Sequence, residues 1–286
     1  MIIKTPAKIN TLLYILGRRE DGFHDLYMHM VPVSLYDKLT FAENKIQGLN
    51  LKIKGEFFLE TDETNLVVKA VRAFEHVSGI TVNYDILLEK KIPHAAGLGG
   101  GSGNAAGALM ALNYIFRNSN ESSGLIPQEL LHEIALELGS DVPFFLKPKP
   151  TEIKGRGEKL RELSDYPKFY LLIIKPSFNI STREAYQNCI PKKEKNFPVI
   201  QSFNDLNYHI KNHFENSLLD QYPELSKLKT LLLENGAFGA LVSGSGSAVF
   251  GVYNNKNKQY QAYKDLLCLQ IGEVFCCETL GNHYYF

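Results

Sequence analysis

Several features that would place the chain in a specialised class are scarce. Its 286 residues include only four cysteines, at positions 189, 268, 276 and 277, and no pair has the C-x-x-C spacing of many metal and redox sites. Two of the four are adjacent, which is a poor geometry for a simple disulfide. This cysteine usage favours a reducing, cytoplasmic setting.

An excess of charge of either sign is also missing, since 31 basic residues balance 31 acidic ones. A broad surface for nucleic acid or for an anionic membrane is therefore not expected, although a local basic pocket is still allowed. No run approaches the roughly 20 apolar residues of a spanning helix, and the first 21 residues lack the pattern of a signal peptide. We predict a soluble intracellular protein, a monomer or a weak homodimer, without nucleic-acid or membrane partners.

What is present is an ordinary apolar content of 44%, enough for one large domain or two smaller ones. No internal repeat or long low-complexity linker interrupts the chain, apart from a short polar loop at 117–124. Alternation of apolar and polar residues predicts a strand over 2–16. After residue 150 the succession of strands and helices begins again with another predicted strand. The sequence thus predicts an α+β protein with domains over 1–155 and 156–286. Helices are predicted at 64–78, 104–116, 127–138, 203–219, 223–235 and 257–268, and a last strand at 272–280.

A glycine-rich stretch, GLGGGSGNAAGAL, occupies 97–109, with five glycines within seven residues before a predicted helix. Glycines in this position allow backbone N–H groups to approach an anion, and phosphate is the usual ligand. The P-loop form is excluded because no lysine follows the glycines. A dinucleotide loop matches only partly, and a structural turn between strand and helix is the remaining alternative. Ser102 could cap the helix or contact a phosphate or Mg²⁺.

Two histidines, His209 and His213, stand four residues apart, which is a metal-ligand spacing on a helix. The glutamate of an H-E-x-x-H motif does not accompany them. We therefore interpret this segment as a surface helix rather than a metal site.

Four segments together resemble the GHMP kinase superfamily, whose ATP loop is rich in glycine and serine. They are PAKINTLLYILGRREDGFHDL, IPHAAGLGGGSGNAAGAL, LGSDVPFFL and LVSGSGSAVFGV, and they span nearly the whole chain in the family's order. The resemblance implies a two-domain fold. Its N-terminal domain resembles a ribosomal-protein domain with a left-handed βαβ unit, its C-terminal domain is ferredoxin-like, and the active site lies in the cleft between them.

The resemblance also implies an activity. The motifs are similar to those of a branch that uses ATP and Mg²⁺ to phosphorylate the 2-hydroxyl of a cytidyl diphosphate-linked methylerythritol in non-mevalonate isoprenoid synthesis. Two alternatives stay open. One is a GHMP kinase for another small alcohol, such as mevalonate, homoserine or a sugar. The other is a kinase-fold protein without catalysis.

The catalytic residues implied by the resemblance are Lys8 and Asp141, as electrostatic partner and as base for the attacked hydroxyl. By itself, a strand lysine is usually a solvated edge charge, and an aspartate before Pro143 is usually a turn or helix cap. An ion pair between the two would keep the carboxylate charged. The two side chains are therefore expected to meet in the cleft.

The remaining implied residues fall into two groups. Among the substrate contacts, Phe23 and Tyr186 would sandwich the cytosine ring and His24 would read its edge. The implied substrate-binding residues are Asn10, Phe23, His24, Thr182, Tyr186, Ser243 and Gly244. The implied ATP-binding residues are Asn65, Lys90, Pro93, Gly97, Leu98, Gly99, Gly100, Gly101, Ser102, Gly103 and Asn104. Because Gly103 stands where the family usually has a second serine, Ser102 is the one hydroxyl expected to reach Mg²⁺.

Overall fold

The computed structural model describes residues 1–45, 48–55, 59–117 and 126–281. Apart from Arg117, the predicted polar loop at 117–124 lies outside the described residues. The strands are β1 (Ile2–Arg18), β2 (His24–Glu43), β3 (Asn50–Lys54), β4 (Tyr84–Glu89), β5 (Thr151–Gly155), β6 (Lys159–Glu162), β7 (Tyr170–Lys175), β8 (Lys211–Asn212), β9 (Gly239–Val242), β10 (Val249–Tyr253) and β11 (Glu273–Glu278). The helices are α1 (Leu66–Ser78), α2 (Gly100–Arg117), α3 (Gln128–Leu138), α4 (Val142–Leu146), α5 (Thr182–Asn188), α6 (Phe203–His209), α7 (Glu215–Gln221), α8 (Pro223–Glu234) and α9 (Lys256–Leu267).

The first sheet is built around the long antiparallel pair β1 and β2, in the order β3-β4-β2-β1-β8. The first part of β2 pairs with β5, and β5 pairs with β6. Strands β3 and β4 are parallel with α1 between them, which makes a βαβ unit. Strand β1 is apolar on both faces because Leu13 and Ile15 enter one hydrophobic cluster while Ile9, Leu12 and Tyr14 enter another.

The second sheet has four antiparallel strands in the order β11-β7-β10-β9. Reading along the chain, strand β7 is followed by helices, the pair β9–β10, helix α9 and strand β11. This is the βαββαβ order of a ferredoxin-like domain. The predicted ferredoxin-like second half is therefore confirmed by the strand order.

Two predicted helices differ from the structure. The helix predicted at 203–219 is wrong: α6 ends at His209, the short strand β8 follows, and α7 begins at Glu215. Helix α2 begins at Gly100 rather than near residue 104. In both places a tertiary contact outweighs local propensity, since β8 pairs with β1 and the first turn of α2 is packed against β1 and α4.

The boundary between the two domains stays a prediction. Strand β6 still belongs to the first sheet, and the second sheet begins with β7 at Tyr170. Strand pairing thus favours a boundary between 162 and 170, slightly beyond the one suggested by the sequence pattern. The chain also returns once to the first sheet, because β8 pairs with β1.

Candidate active site

A cleft of about 560 Å³ brings together residues from distant parts of the chain. Its lining comes from the start of α1, the glycine loop, α5 and the turn after β9, together with strand β1 and the residue before α4. The turn after β9 lies against the loop, since a Cβ atom at Gly244 would be 3.2 Å from Gly97 O. The predicted residues that line it are Lys8, Asn10, Asn65, Lys90, Pro93, Gly97, Leu98, Gly99, Gly100, Gly101, Ser102, Asn104, Asp141, Thr182, Tyr186 and Gly244.

Lys8 and Asp141 meet in this cleft, as the resemblance implied. Lys8 is only 4% exposed, so it is not a solvated edge charge. Its Nζ donates to Asn10 Oδ1 at 2.7 Å and lies 3.5 Å from Asp141 Oδ2. A buried ammonium held between an amide oxygen and a carboxylate is a strong, directional centre of positive charge.

The backbone at α4 explains why the Asp141 carboxylate is available. Asp141 directly precedes α4, but its side chain makes no capping hydrogen bond, so the capping alternative is wrong. Val142 begins the short helix and Pro143 is its second residue, and the residues from Val142 to Phe145 are buried and anchor it. The carboxylate therefore faces Lys8 from a well-packed support.

The glycine loop is held against β1 and the second sheet. Gly97 and Gly99 have positive φ values of 71° and 72°, which favour glycine. A Cβ atom at Gly97 would overlap the Ser243 carbonyl oxygen, and one at Gly99 would lie 2.7 Å from the Phe145 ring. The loop is also tied to β1 by a hydrogen bond from Lys8 N to Leu98 O at 2.9 Å. These two glycines thus allow the close packing of the loop, and both also line the cleft.

The first turn of α2 carries the anion-binding potential. The first intrahelical bond of this turn runs from Gly103 N to Gly99 O at 2.9 Å, so the preceding N–H groups of 100–102 have no intrahelical partner. They lie at the positive end of the helix dipole. Gly101 and Ser102 face the cleft, and a Cβ atom at Gly101 would make only an ordinary contact of 3.4 Å with Leu66.

Gly103 does not line the cleft. A Cβ atom there would lie 3.2 Å from Pro6 O and 3.4 Å from the Phe145 ring. The predicted direct ATP contact of Gly103 is therefore not supported, because its Cβ position faces β1 and α4.

Three other predicted ATP residues use their polar side-chain atoms in hydrogen bonds to other groups of the protein. Asn65 caps α1: its Oδ1 accepts from Val67 N at 2.9 Å and its Nδ2 donates to Glu60 O at 2.7 Å. Lys90 and Asn104 point into a buried cluster around Asp37. Their side chains are therefore engaged in holding the loop and its flanks.

The turn after β9 supports the glycine loop from the second sheet. Ser243 is buried, does not line the cleft, and donates its hydroxyl to Gly97 O at 3.0 Å. Gly244 and Ser245 do line the cleft, and the Ser245 hydroxyl lies 2.9 Å from that of Thr182. Ser245 belongs to the same SGSGS motif as the predicted substrate contacts Ser243 and Gly244, but it was not itself predicted to bind the substrate.

The aromatic residues are arranged differently from the implied sandwich. His24 stacks on Tyr186, with ring centroids 4.9 Å apart, and Tyr186 packs edge-on against Phe214 at 4.8 Å. Phe23 is 46% exposed and lies under the Arg156 guanidinium at 5.0 Å. Neither Phe23 nor His24 is among the described residues that line the cleft. Of the three, only Tyr186 forms part of the cleft wall.

Burial shifts the pKa values of the stacked pair His24 and Tyr186. Burial lowers the pKa of His24, and the charge of Arg18 adds to this. Burial also raises the pKa of Tyr186, with a further contribution from the charge of Asp141. Among the described residues, His24 Nε2 is buried without a hydrogen-bond partner.

An apolar part of the wall was missed by sequence reasoning. It consists of Leu13, Leu26, Met28, Met30 and Phe214. The alternation along the first two strands could have indicated the first four. Phe214 was missed because the segment around it was interpreted as one continuous helix.

His213 is buried, and the surface interpretation of it is wrong. It follows β8, is 2% exposed, and its Nδ1 accepts from Ile15 N at 3.2 Å. His209 is the last residue of helix α6, and His213 lies outside that helix. The two histidines are therefore not arranged as ligands on one helical face.

Comparison with known proteins agrees with this geometry. The GHMP kinases N terminal domain matches residues 65–148, and the GHMP kinases C terminal domain matches residues 195–269. The chain belongs to the GHMP kinase family, and the predicted family and α+β fold are confirmed. Within the described residues, no helix has the length and apolar character needed to cross a membrane.

Two curated relatives and one solved structure carry the same enzyme name. The chain is 41% identical to the 4-diphosphocytidyl-2-C-methyl-D-erythritol kinase of Syntrophus aciditrophicus (strain SB), covering 97% of this chain and 99% of that one. The enzyme of the same name from Thermodesulfovibrio yellowstonii is 37% identical, covering 91% and 92%. A crystal structure of 4-(cytidine 5'-diphospho)-2C-methyl-D-erythritol kinase matches with a TM-score of 0.82 and 30% identity, covering 98% and 100%. Homoserine kinase from Cytophaga hutchinsonii shares the fold, with a TM-score of 0.72 and 18% identity over 98% and 96%.

Proposed function

We propose that this protein transfers the γ-phosphoryl group of ATP to the 2-hydroxyl of 4-diphosphocytidyl-2-C-methyl-D-erythritol. The observation that carries the proposal is the Lys8–Asp141 pair, which lies in one cleft with a helix N-terminus and with Tyr186. A helix N-terminus suits phosphates, and an aromatic wall suits a nucleobase. The names of the relatives support the same alcohol.

The transfer step follows from the positions of the two charged groups. The oxygen of the substrate hydroxyl attacks the γ-phosphorus, its proton passes to Asp141, and the bond to the bridging oxygen breaks with its electrons left on ADP. Lys8 stabilises the negative charge that is spread over the transferring phosphoryl oxygens. Asn10 holds the Lys8 ammonium in place through the 2.7 Å hydrogen bond.

The nucleotide is expected at the α2 end of the cleft. The free N–H groups of 100–102 would bind its phosphates without any charged side chain of the loop. Mg²⁺, when bound with ATP, neutralises phosphate charge, and it prefers oxygen ligands of which the phosphates supply several. The Ser102 hydroxyl, which lines the cleft, is the side chain of the loop that fits such a ligand set.

The mechanism predicts a separation of binding from turnover in Asp141→Asn. An amide of the same size keeps the shape of the cleft but accepts no proton, so kcat should fall by about 10²–10⁴-fold, the range of general-base catalysis. The dissociation constant for ATP, measured by calorimetry with Mg²⁺ present, should change by less than about threefold. In free energy of binding this is less than half of the 1.4 kcal/mol that a tenfold change represents.

Glu133→Gln is the matched control, because it removes an exposed carboxylate of α3, the helix that precedes Asp141. It should leave both quantities unchanged. Turnover by Asp141→Asn at the wild-type rate would show that Asp141 is not the base. Absence of turnover by the wild-type protein with the cytidyl substrate, but turnover of another alcohol in a coupled assay, would assign a different substrate.

A further inference from the structure

We propose that Asp37, a buried residue of β2, is the positioning residue that holds both ends of the ATP loop. Asp37 is 0% exposed and is not among the described residues that line the cleft. It therefore acts through other groups and not on a ligand. The inference rests on the proposed function only in requiring that the protein binds ATP.

One carboxylate oxygen fixes the chain where it enters the loop. Asp37 Oδ1 accepts hydrogen bonds from Lys91 N at 2.7 Å and from Ile92 N at 2.9 Å. These two consecutive amides follow the end of β4 and precede Pro93, the first residue of the loop. An ionised acceptor for two backbone donors gives shorter and stronger bonds than a neutral one.

The other oxygen fixes the chain where it leaves the loop. Asp37 Oδ2 accepts from Asn104 Nδ2 at 3.0 Å and is ion-paired with the Lys90 ammonium. Asn104 stands at the fifth position of α2. Its Oδ1 accepts from Lys90 Nζ at 3.2 Å, and its Nδ2 also donates to Thr5 Oγ1 of β1 at 2.8 Å. One carboxylate thus connects β2, the entry to the loop and the start of α2.

This arrangement gives Lys90 and Asn104 a purpose other than contact with the nucleotide. Their polar atoms are occupied by Asp37, Thr5 and each other in a cluster that is buried throughout. The N–H groups of 100–102 are consequently held in position before the phosphates arrive. Ordering them in advance removes an entropic cost from ATP binding.

The test measures ATP binding by calorimetry in Asp37→Asn and in Asp37→Asn/Lys90→Met. Asparagine keeps one oxygen for the Lys91 and Ile92 amides but loses the ion pair, and the second substitution removes the lysine that would be left unpaired. In both variants the dissociation constant for ATP should rise on the order of tenfold, since one buried charge-assisted hydrogen bond is worth about 1.5–3 kcal/mol. The dissociation constant for the cytidyl substrate should stay within about twofold, less than 0.5 kcal/mol.

Two further variants make the result specific to the loop. Thr5→Val is isosteric and removes only the bond to Asn104, so it should fold and should weaken ATP binding about two- to fivefold, as expected for about 0.5–1 kcal/mol. Glu152→Gln disturbs another buried carboxylate of the same sheet, bound to Arg161 and Tyr27. It should lower the melting temperature while leaving ATP binding unchanged.

Wild-type ATP affinity in folded Asp37→Asn, or in Thr5→Val if the Asp37 variants do not fold, would overturn the proposal. Equal weakening of ATP binding and of cytidyl-substrate binding would also overturn it, because the effect would then not be specific to the ATP loop. Hydrogen exchange should show faster exchange of the Lys91 and Ile92 amides in the Asp37 variants. Since the readout is ATP binding, a wild-type protein that binds ATP but phosphorylates a different alcohol would refute the proposed substrate and leave this test intact.

Discussion

At the scale of the residue, Tyr186 is an aromatic side chain of the cleft wall that the sequence had predicted to bind the substrate. Its ring is supported edge-on by Phe214 and carries His24 on its face. Tyr186→Ala should raise KM for the cytidyl substrate about fivefold, as expected for the loss of about 1 kcal/mol of ring stacking. KM for ATP should not change, because we propose that the ATP phosphates bind at the first turn of α2 and not at Tyr186.

Tyr260→Ala, which removes an exposed ring of α9, is the control for this measurement and should have no effect. Phe23→Ala tests the second ring of the implied sandwich, which lies outside the cleft in this structure. If neither Phe23→Ala nor Tyr186→Ala changes KM for the cytidyl substrate, the base is not bound between these rings. The alcohol would then have to be sought among other small substrates of the family.

His29 illustrates how a buried residue makes stability depend on pH. It is 3% exposed and lies beside Tyr27, whose hydroxyl also binds Glu152. Burial lowers the pKa of His29 from 6.5 to about 4, a shift that the charge of Glu152 opposes and those of Arg161 and Lys154 assist. Below pH 6.5 the unfolded chain binds a proton that the folded protein does not. Stability is therefore full above this value and is lost as the pH falls towards 4.

The free energy of unfolding should fall by about 2 kcal/mol between pH 7 and pH 5 because of this residue, at 1.36 kcal/mol per pKa unit. Urea unfolding followed by far-UV circular dichroism at both pH values measures the change. His29→Gln should reduce the pH dependence, whereas His76→Gln, at the exposed end of α1, controls for the loss of one histidine. An unchanged pH dependence in His29→Gln would assign the effect to other groups.

At the scale of the element, α2 lies close to β1 because small residues face the strand. A Cβ atom at Gly107 would overlap Thr5 Cγ2 and lie 3.2 Å from Leu39 Cδ1. Overpacking in Gly107→Ala should cost about 1–3 kcal/mol. A gain of about 1 kcal/mol in helix propensity offsets part of it, which leaves a net destabilisation of up to about 2 kcal/mol. Thermal unfolding should show a lower melting temperature.

Gly101→Ala, in the first turn of the same helix, is the control for stability. Its Cβ atom would make only an ordinary contact with Leu66 Cδ1. The melting temperature should stay the same or rise, whatever happens to ATP binding. A melting temperature of Gly107→Ala at or above that of the wild type would mean that α2 and β1 separate without cost.

At the scale of the whole molecule, Asn212 connects the two sheets. Its backbone belongs to β8, which pairs with β1, while its Nδ2 donates to Val242 O at 2.8 Å and to Gly244 O at 2.7 Å. Its Oδ1 accepts from Phe214 N at 3.0 Å. One buried amide therefore supports the turn after β9 and the aromatic wall of the cleft.

Asn212→Leu keeps the volume but leaves these three backbone groups without the amide. Since an unsatisfied buried polar group costs about 1–3 kcal/mol, we expect the free energy of unfolding to fall by at least about 3 kcal/mol. Urea unfolding measures this loss, and Asn188→Leu, at the exposed end of α5, is the control. If the two variants are equally stable, Asn212 does not connect the sheets energetically.

The sequence by itself determined the family, the α+β class and the pair of charged residues, because motifs with several required residue types survive in order along the chain. It also indicated an anion-binding helix start, since glycines before an alanine-rich run serve few other purposes. Only the tertiary structure decided what each glycine does: Gly97 and Gly99 allow close packing and also line the cleft, Gly101 lines the cleft with Ser102, and Gly103 packs against β1 and α4 without lining it. In the folded protein, Lys90 and Asn104 bind Asp37, and His213 is buried. The segment predicted as one helix at 203–219 forms α6, β8 and the start of α7. These outcomes depend on contacts between residues that are far apart in the sequence, such as Phe145 with Gly99, Lys90 with Asp37, and Ile15 with His213, which local propensity and spacing do not encode.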